Sequence, residues 1–176
     1  MQRKYEYRRK LPHYQPVFKA FFITFSTHHR WILPESVRQI VIDAYLSGNG
    51  RNFHLRAVVV MPDHVHLVLT PRYDGNGAVG LAEIMQAIEG ASAHRINKAL
   101  GRRGKVWEEE SFDRALPREE SIGDKVDYVL GNPVGAGLAK NSLEYRWLWR
   151  ETGQTCTQEF AESDGRDARP PFSRVP

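Results

Sequence analysis

Apolar residues along the chain follow two different periods, and the first is typical of strands. Runs rich in aromatic and β-branched side chains cover residues 18–27, 53–61 and 64–70, which predicts three strands. Pro62 and Asp63 separate the second run from the third and form a turn signal. The second and third strands are therefore expected to form a tight antiparallel hairpin.

Other segments repeat apolar residues every three or four positions, which predicts helices with one buried face. The first such segment follows Pro34 and covers residues 35–47. The second covers residues 79–100, with Gly90 as a candidate kink because glycine weakens a helix interior. Both helices are expected to pack their apolar faces against the sheet.

A third helix is predicted to begin at Ser121, where Asp124 completes an approximate capping box. It should end near Asn132, because Pro133 disfavours helical geometry in the residue before it.

These elements define the expected fold class and domain organisation. Short extended pieces at 106–107 and 112–116 complete an α+β chain, with an antiparallel sheet and helices packed mainly on one face. We expect a basic N-terminal arm over residues 1–16, one domain over 17–150, and a polar, mobile tail over 151–176.

The composition limits the number of domains and the kinds of metal site that the chain can form. The chain has 176 residues and one cysteine, which fits one domain and excludes an internal disulfide or a cysteine-based zinc site within one chain. Any metal ion would then be held by histidine, carboxylate or amide groups, which favours Mg²⁺, Mn²⁺ or a mixed nitrogen and oxygen site. The sequence has no apolar run of about 18 residues and no signal-peptide pattern, so no membrane contact and a cytoplasmic location are expected.

The net charge of +4 is concentrated in two basic clusters. One lies within residues 1–10. The other contains Arg95, Lys98, Arg102, Arg103 and Lys105. Two basic clusters on a small domain fit an anionic polymer such as nucleic acid, and the second is the better candidate for phosphate contacts. The alternative is a solvated tail and a solvated helix face.

The sharpest local pattern is a pair of histidines one residue apart. Successive side chains of a strand point to opposite faces, so His64 and His66 lie side by side on one face and Val65 faces the other. Two adjacent imidazoles are well placed to bind one divalent metal ion together. The turn residue Asp63 could support that site or only cap the turn. The alternative is a pair of half-exposed histidines at a sheet edge.

A second pattern places Tyr128 four residues before Asn132, so both project from one side of the predicted helix. A phenol is a poor nucleophile at neutral pH because its pKa is about 10. It becomes effective if a nearby metal ion polarises the electrophile, and Asn132 could add an oxygen ligand. Together with the histidines, this set suggests attack of Tyr128 on a phosphodiester, with a phosphotyrosine intermediate. The alternative is a packed aromatic residue and a helix cap.

Four segments resemble a known family, in the same order and at similar spacing over residues 15–150. They are FFITFSTHHR (21–30), MPDHVHLVLT (61–70), KVWEEESFDRAL (105–116) and DYVLGNPVGAGLA (127–139). Through them the chain resembles the REP-associated tyrosine transposases, a branch of the HUH single-tyrosine transposases of insertion sequences. The segment YRWLWR (145–150) and Gly135 depart from that pattern.

The resemblance implies a ferredoxin-like or RRM-like fold with His64 and His66 on a central strand. It implies that Tyr128 is the nucleophile and that Asn132 helps the two histidines hold Mg²⁺ or Mn²⁺. The substrate would be single-stranded DNA beside a REP-type hairpin, cut to give a 5′-phosphotyrosine and a free 3′-hydroxyl. Relatives of this kind act as monomers or as homodimers.

Three functions are compatible with these residues. The first is a DNA strand transferase that uses Tyr128. The second is a module that binds hairpin DNA or RNA without cutting it. The third is a metal-dependent phosphodiesterase that uses water as its nucleophile, and this one would survive loss of the Tyr128 hydroxyl.

We assign the remaining polar and aromatic candidates no role in the site. The histidines outside the pair have no partner spacing that indicates a site: His28, His29, His54 and His94. The acidic run 108–110 is interpreted as a solvated face, and Trp107 as a buried anchor of the sheet rather than a stacking platform for a base.

Overall fold

The structure, a computed structural model, describes residues 19–73, 79–117 and 122–152. Its strands are β1 (Phe21–Thr27), β2 (Phe53–Val60), β3 (His64–Pro71), β4 (Trp107–Ala115) and β5 (Leu148–Arg150). Its helices are α1 (Glu35–Gly48), α2 (Leu81–Ala99) and α3 (Ile122–Gly135), with 3₁₀ turns at His28–Arg30 and Ser142–Glu144. The strands form one sheet in the order β4-β1-β3-β2-β5, with antiparallel neighbours throughout. The predicted α+β class with an antiparallel sheet is confirmed.

Two helices cover one face of the sheet. On that face the ring of Phe25 lies 6.5 Å from the ring of Tyr45 in α1 and 5.0 Å from the ring of Trp107. Trp107 is buried and its Nε1 donates a hydrogen bond of 3.0 Å to Ser92 Oγ in α2. Trp107 is therefore a buried anchor of the sheet, as the sequence predicted.

The third helix lies on the opposite face. Phe22 alternates with Phe25 along β1, and its ring lies 5.8 Å from the ring of Tyr128 in α3. Val129 and Leu130 of α3 are buried, and the helix contacts β2 and β3. Two of the three described helices thus share one face, while α3 covers part of the face on which Phe22 lies.

The second and third strands form the hairpin that the sequence predicted. The Met61 N–H donates to the His64 carbonyl at 2.8 Å, which closes the turn. The hairpin puts β3 between β2 and β1, in the middle of the sheet. The expectation of a central strand for His64 and His66 is therefore confirmed, and the alternative of a sheet edge is wrong.

The structure shows no break at Gly90, because α2 is one continuous helix from Leu81 to Ala99. A single glycine costs a helix only about 1 kcal/mol relative to alanine. Buried apolar residues precede and follow Gly90 in the same helix, including Ile88 and Ile96. Their packing outweighs the local preference of one residue.

The expectation that the third helix ends near Asn132 was also wrong, because α3 continues through Pro133. Proline has no N–H to donate to the carbonyl four residues earlier, which is that of Val129. Asn132 Nδ2 donates instead to the carbonyls of Val129 (3.3 Å) and Tyr128 (2.9 Å). One side-chain amide thus takes the place of the missing backbone donor and lets the helix pass the proline.

The two edge strands of the sheet differ from the prediction, and other predicted segments lie outside the described residues. β4 is one strand of nine residues where two short pieces were expected, and β5 was not predicted. The proposed arm 1–16, the capping residue Ser121 and the tail from residue 153 onward lie outside the described residues. Among the described helices, none combines the length and the apolar content needed to cross a bilayer.

Candidate active site

Two histidines on the central strand form the core of the candidate site. The ring centroids of His64 and His66 are 4.7 Å apart. His64 Nδ1 lies 2.6 Å from Asp63 Oδ1, and His66 Nδ1 lies 2.7 Å from Thr24 Oγ1 on β1. Since both Nδ1 atoms have protein partners, each ring keeps its Nε2 for a further ligand. A histidine that is oriented through its other nitrogen is typical of metal ligands.

The surroundings shift the pKa values of His66 and Asp63. Burial, helped by the neighbouring His64, lowers the pKa of His66 to about 4. His66 is therefore neutral at physiological pH, with a lone pair available. Burial acts to raise the pKa of Asp63, but His64 and Arg30 outweigh it and hold that pKa below its usual range. The carboxylate is ionised and holds the His64 ring in place.

The Tyr128 side chain lies on the same face as His66. The Phe22 ring stacks on His66 at 5.8 Å and meets Tyr128 edge-on at 5.8 Å, so one aromatic ring contacts both. Tyr128 is 54% exposed, which leaves it open to a molecule that approaches this face. Lys125, one turn earlier, has its Nζ 4.9 Å from the Tyr128 ring centroid. The sequence analysis did not predict this cation beside the tyrosine.

Asn132 is one helical turn from Tyr128 and half-buried. Its Nδ2 donates to two backbone carbonyls of its own helix, so Oδ1 is the end of the amide that could accept a bond or bind an ion. Two imidazole nitrogens and one amide oxygen form a mixed donor set that fits a divalent ion. The structure brings His64, His66 and Tyr128 to one face, and a ligand role for Asn132 stays a prediction.

The candidate phosphate-binding residues follow α2 into the turn after it: Arg95, Lys98, Arg102, Arg103 and Lys105. Since α2 packs on the other face of the sheet, its cations lie away from Tyr128. The Arg102 guanidinium stacks 4.0 Å over the Trp31 ring, and Lys105 bonds to Glu109. Arg103 is exposed. A DNA-binding role for this cluster stays a prediction.

The fold brings together three side chains to which the sequence analysis assigned no role. His28, His29 and Glu108 each offer one ligand atom, and these three atoms lie within 4.8 Å of one another. The sequence interpreted both histidines as isolated and Glu108 as solvated, and the pairing of β1 with β4 corrects that interpretation. No local signal could have found the group, because Glu108 lies 80 positions after His28 and 79 after His29.

Comparisons with known proteins agree with the resemblance seen in the sequence. A family model described as "Transposase IS200 like" matches residues 26–116, a span that includes both central histidines and ends before Tyr128. A REP-associated tyrosine transposase of Haemophilus influenzae is 24% identical over 94 residues, which are 50% of this chain and 53% of that protein. The chain therefore matches about half the length of this curated relative.

Two solved structures align with the chain. The structure of a REP-associated tyrosine transposase bound to a REP hairpin aligns with a TM-score of 0.60 at 20% identity, covering 78% of this chain and 82% of that one. The crystal structure of a transposase from Deinococcus radiodurans aligns with a TM-score of 0.47 at 22% identity, covering 70% of this chain and 96% of that one.

Proposed function

Since the chain belongs to the IS200-like transposase family, we propose that it cuts and rejoins single-stranded DNA through a covalent bond to Tyr128. The observation that carries this proposal is the shared contact with Phe22, which puts an exposed tyrosine beside a neutral, oriented histidine. A tyrosine that only packed in the core would not be 54% exposed on that face.

The proposed step transfers the phosphoryl end of one DNA strand to Tyr128. Tyr128 Oη attacks phosphorus, so an Oη–P bond forms and the bond from phosphorus to the 3′ oxygen breaks. The phenol loses its proton and the departing strand ends as a 3′-hydroxyl. The other strand stays attached as a 5′-phosphotyrosine. Because the energy of the broken bond is kept in that linkage, a new 3′-hydroxyl can reverse the step and join two strands.

The donor atoms that would hold an ion are His64 Nε2, His66 Nε2 and Asn132 Oδ1. A bound Mg²⁺ or Mn²⁺ supplies charge stabilisation at the phosphoryl oxygens and at the leaving oxygen. The chain itself orients the two rings through Asp63 and Thr24 and keeps His66 neutral by burial. Lys125 places a positive charge beside the Tyr128 ring, where it favours the approach of a phosphate.

The proposed substrate is single-stranded DNA next to a REP-type hairpin. Support comes from the relatives, one of which is described as bound to a REP hairpin. The basic cluster around the turn after α2 supports binding of an anionic polymer. A cytoplasmic location and action as a monomer or homodimer belong to the same proposal.

The experiment is a cleavage assay with Tyr128→Phe. The protein is incubated with REP-type hairpin DNA that carries a single-stranded flank, in Mn²⁺ or Mg²⁺, and the products are resolved on a denaturing protein gel. The wild type should give a metal-dependent protein–DNA adduct, and Tyr128→Phe should bind the DNA but give neither adduct nor cut strand. Tyr73→Phe is the matched control, since Tyr73 is equally exposed at 54% and should leave cleavage intact.

Each alternative function has its own outcome in this assay. Unchanged cleavage by Tyr128→Phe would mean that water is the nucleophile, and it would end the covalent mechanism. Tight, salt-sensitive binding by the wild type with no adduct would identify a module that binds the hairpin without cutting it.

A further inference from the structure

A second group of metal-binding side chains lies at the end of β1. His28 and His29 begin the 3₁₀ turn that follows this strand, and Glu108 is the second residue of β4. One ligand atom from each residue lies within 4.8 Å of the other two. His28 and Glu108 are half-buried and His29 is exposed, so the group is open to solvent on one side. None of these residues belongs to the donor set on β3 and α3.

The spacing of the group suits a small tetrahedral ion. His28 Nδ1 lies 3.2 Å from Glu108 Oε2. Ligand bonds of about 2.0–2.1 Å in a tetrahedral zinc site put neighbouring ligand atoms roughly 3.3 Å apart. The same 3.2 Å contact also fits a simple hydrogen bond between the imidazole and the carboxylate.

The backbone adopts an uncommon conformation that brings the two imidazoles together. His29 and Arg30 have φ angles of 53° and 54°, in the left-handed region that non-glycine residues rarely adopt. Adjacent residues of a strand point to opposite faces, whereas here the ring centroids of His28 and His29 are 3.9 Å apart. Such strain persists only where surrounding contacts hold it, and it is concentrated at functional sites.

Two contacts hold this conformation. The His29 N–H donates to Glu108 Oε1 at 2.6 Å, and Arg30 bonds to Asp63 at 3.2 Å. The first contact also leaves the second oxygen of Glu108 directed at His28. Both oxygens of the Glu108 carboxylate are therefore held at the two histidines. A carboxylate and two crowded imidazoles form a ready donor set.

We propose that His28, His29 and Glu108 bind a zinc-class divalent ion, at a site separate from the one on β3. Imidazole ligands favour Zn²⁺ and its neighbours over Mg²⁺. Three protein ligands leave a fourth position for water or for another oxygen donor. The ion would tie the end of β1 to β4, next to the Arg30–Asp63 pair that holds His64. This proposal rests on the geometry of the group and does not depend on the proposed function.

The test is a titration of the untagged full chain with Co²⁺, followed by its visible absorption, and with Zn²⁺ by calorimetry. His29→Asn removes one imidazole but keeps a residue that tolerates a positive φ. Glu108→Gln keeps the shape of the third side chain. Each variant should lose one equivalent of Co²⁺ and bind Zn²⁺ at least tenfold more weakly, the lower bound seen when even an outer partner of a ligand is removed (about 10–100-fold).

Two controls show whether the site is specific. His94→Gln changes an exposed histidine on α2 and should leave Zn²⁺ binding unchanged. The double variant His64→Ala, His66→Ala should keep the equivalent that His29→Asn loses. Zn²⁺ binding that is the same in His29→Asn, Glu108→Gln and wild type would overturn the proposal, and the contact of His28 with Glu108 would then be a hydrogen bond only. Loss of every equivalent in the double variant would overturn it as well.

Discussion

At the scale of single residues, each central histidine has one hydrogen-bonding partner that decides which of its ring nitrogens faces outward. Thr24 and His66 are directly opposite on β1 and β3, and their side chains are bonded. Asp63 does the same for His64 from the adjacent turn position. Both contacts leave Nε2 as the outward nitrogen, an arrangement typical of histidines that bind metal ions.

We expect Thr24→Val to weaken the binding of Mn²⁺ by about 10–100-fold, because the His66 ring loses the partner that orients it. Thr70→Val is the matched control, since Thr70 lies on β3 on the same face as His66 but bonds to neither histidine in the structure. Calorimetric titration of both variants measures the difference. An equal loss in the two variants would show that the effect is general and not due to the Thr24–His66 bond.

At the scale of elements, α3 depends on one side chain to pass its internal proline. Pro133 leaves the Val129 carbonyl without a backbone donor, and Asn132 Nδ2 donates to it. Asn132 therefore has a structural role in the turn that carries Tyr128, in addition to its predicted role as a ligand. The proline and the asparagine should be coupled energetically, since one compensates for the other.

A double-mutant cycle in EDTA tests this coupling. Asn132→Ala should lower the free energy of unfolding by about 0.5–1.5 kcal/mol, the net contribution of a hydrogen bond. In a Pro133→Ala background the same change should cost clearly less, because the introduced alanine supplies a backbone N–H that reaches the Val129 carbonyl. Urea unfolding of the four proteins gives the coupling energy. Additive effects would contradict the proposed role of the Asn132 amide.

At the scale of the whole molecule, α2 and β4 line an open pocket of about 620 Å³ that contains a half-buried glutamate. Burial raises the pKa of Glu89 to about 7. A carboxyl group whose pKa is higher in the folded state makes the fold less stable as the pH rises from the unfolded pKa through the folded one.

We expect Glu89→Gln to stabilise the fold at about pH 8 and to have little effect near pH 4, where the wild-type carboxyl is protonated in both states. The gain at high pH should be about 1–3 kcal/mol, allowing for partial exposure of the group. Urea unfolding across this pH range measures it. Glu110→Gln on β4 is the control, since it changes an exposed acid. If the free energy of unfolding of both variants depended on pH in the same way, burial would not be the cause.

The distribution of cations leads to a prediction about DNA binding. Arg103 is exposed, whereas the Arg102 guanidinium stacks over Trp31. If the turn contacts phosphates, Arg103→Ala should weaken binding of any sequence and reduce the slope of log K against log salt by about 1. Arg102→Ala should instead lower the free energy of unfolding by about 0.5–1 kcal/mol, through loss of the stacking. A slope unchanged by Arg103→Ala would remove this turn from the DNA interface.

The sequence by itself determined the features that depend on near neighbours in the chain. Alternation along a strand puts His64 and His66 on one face, and helical spacing puts Tyr128 and Asn132 one turn apart. The hairpin of β2 and β3 follows from the turn residues Pro62 and Asp63. These features were predicted because the geometry of a strand, a helix or a tight turn is set by residues a few positions apart.

Only the tertiary structure decided the rest, because strand order and register join residues that are distant in the chain. The Phe22 ring contacts both His66 and Tyr128 only because β1 lies beside β3 and α3 packs on that face. The pairing of β1 with β4 brings Glu108 to the histidines at the end of β1. β5 was missed because a strand of three residues is too short to show a period. Each of these contacts depends on cooperative packing of the whole sheet, which no local pattern in the sequence encodes.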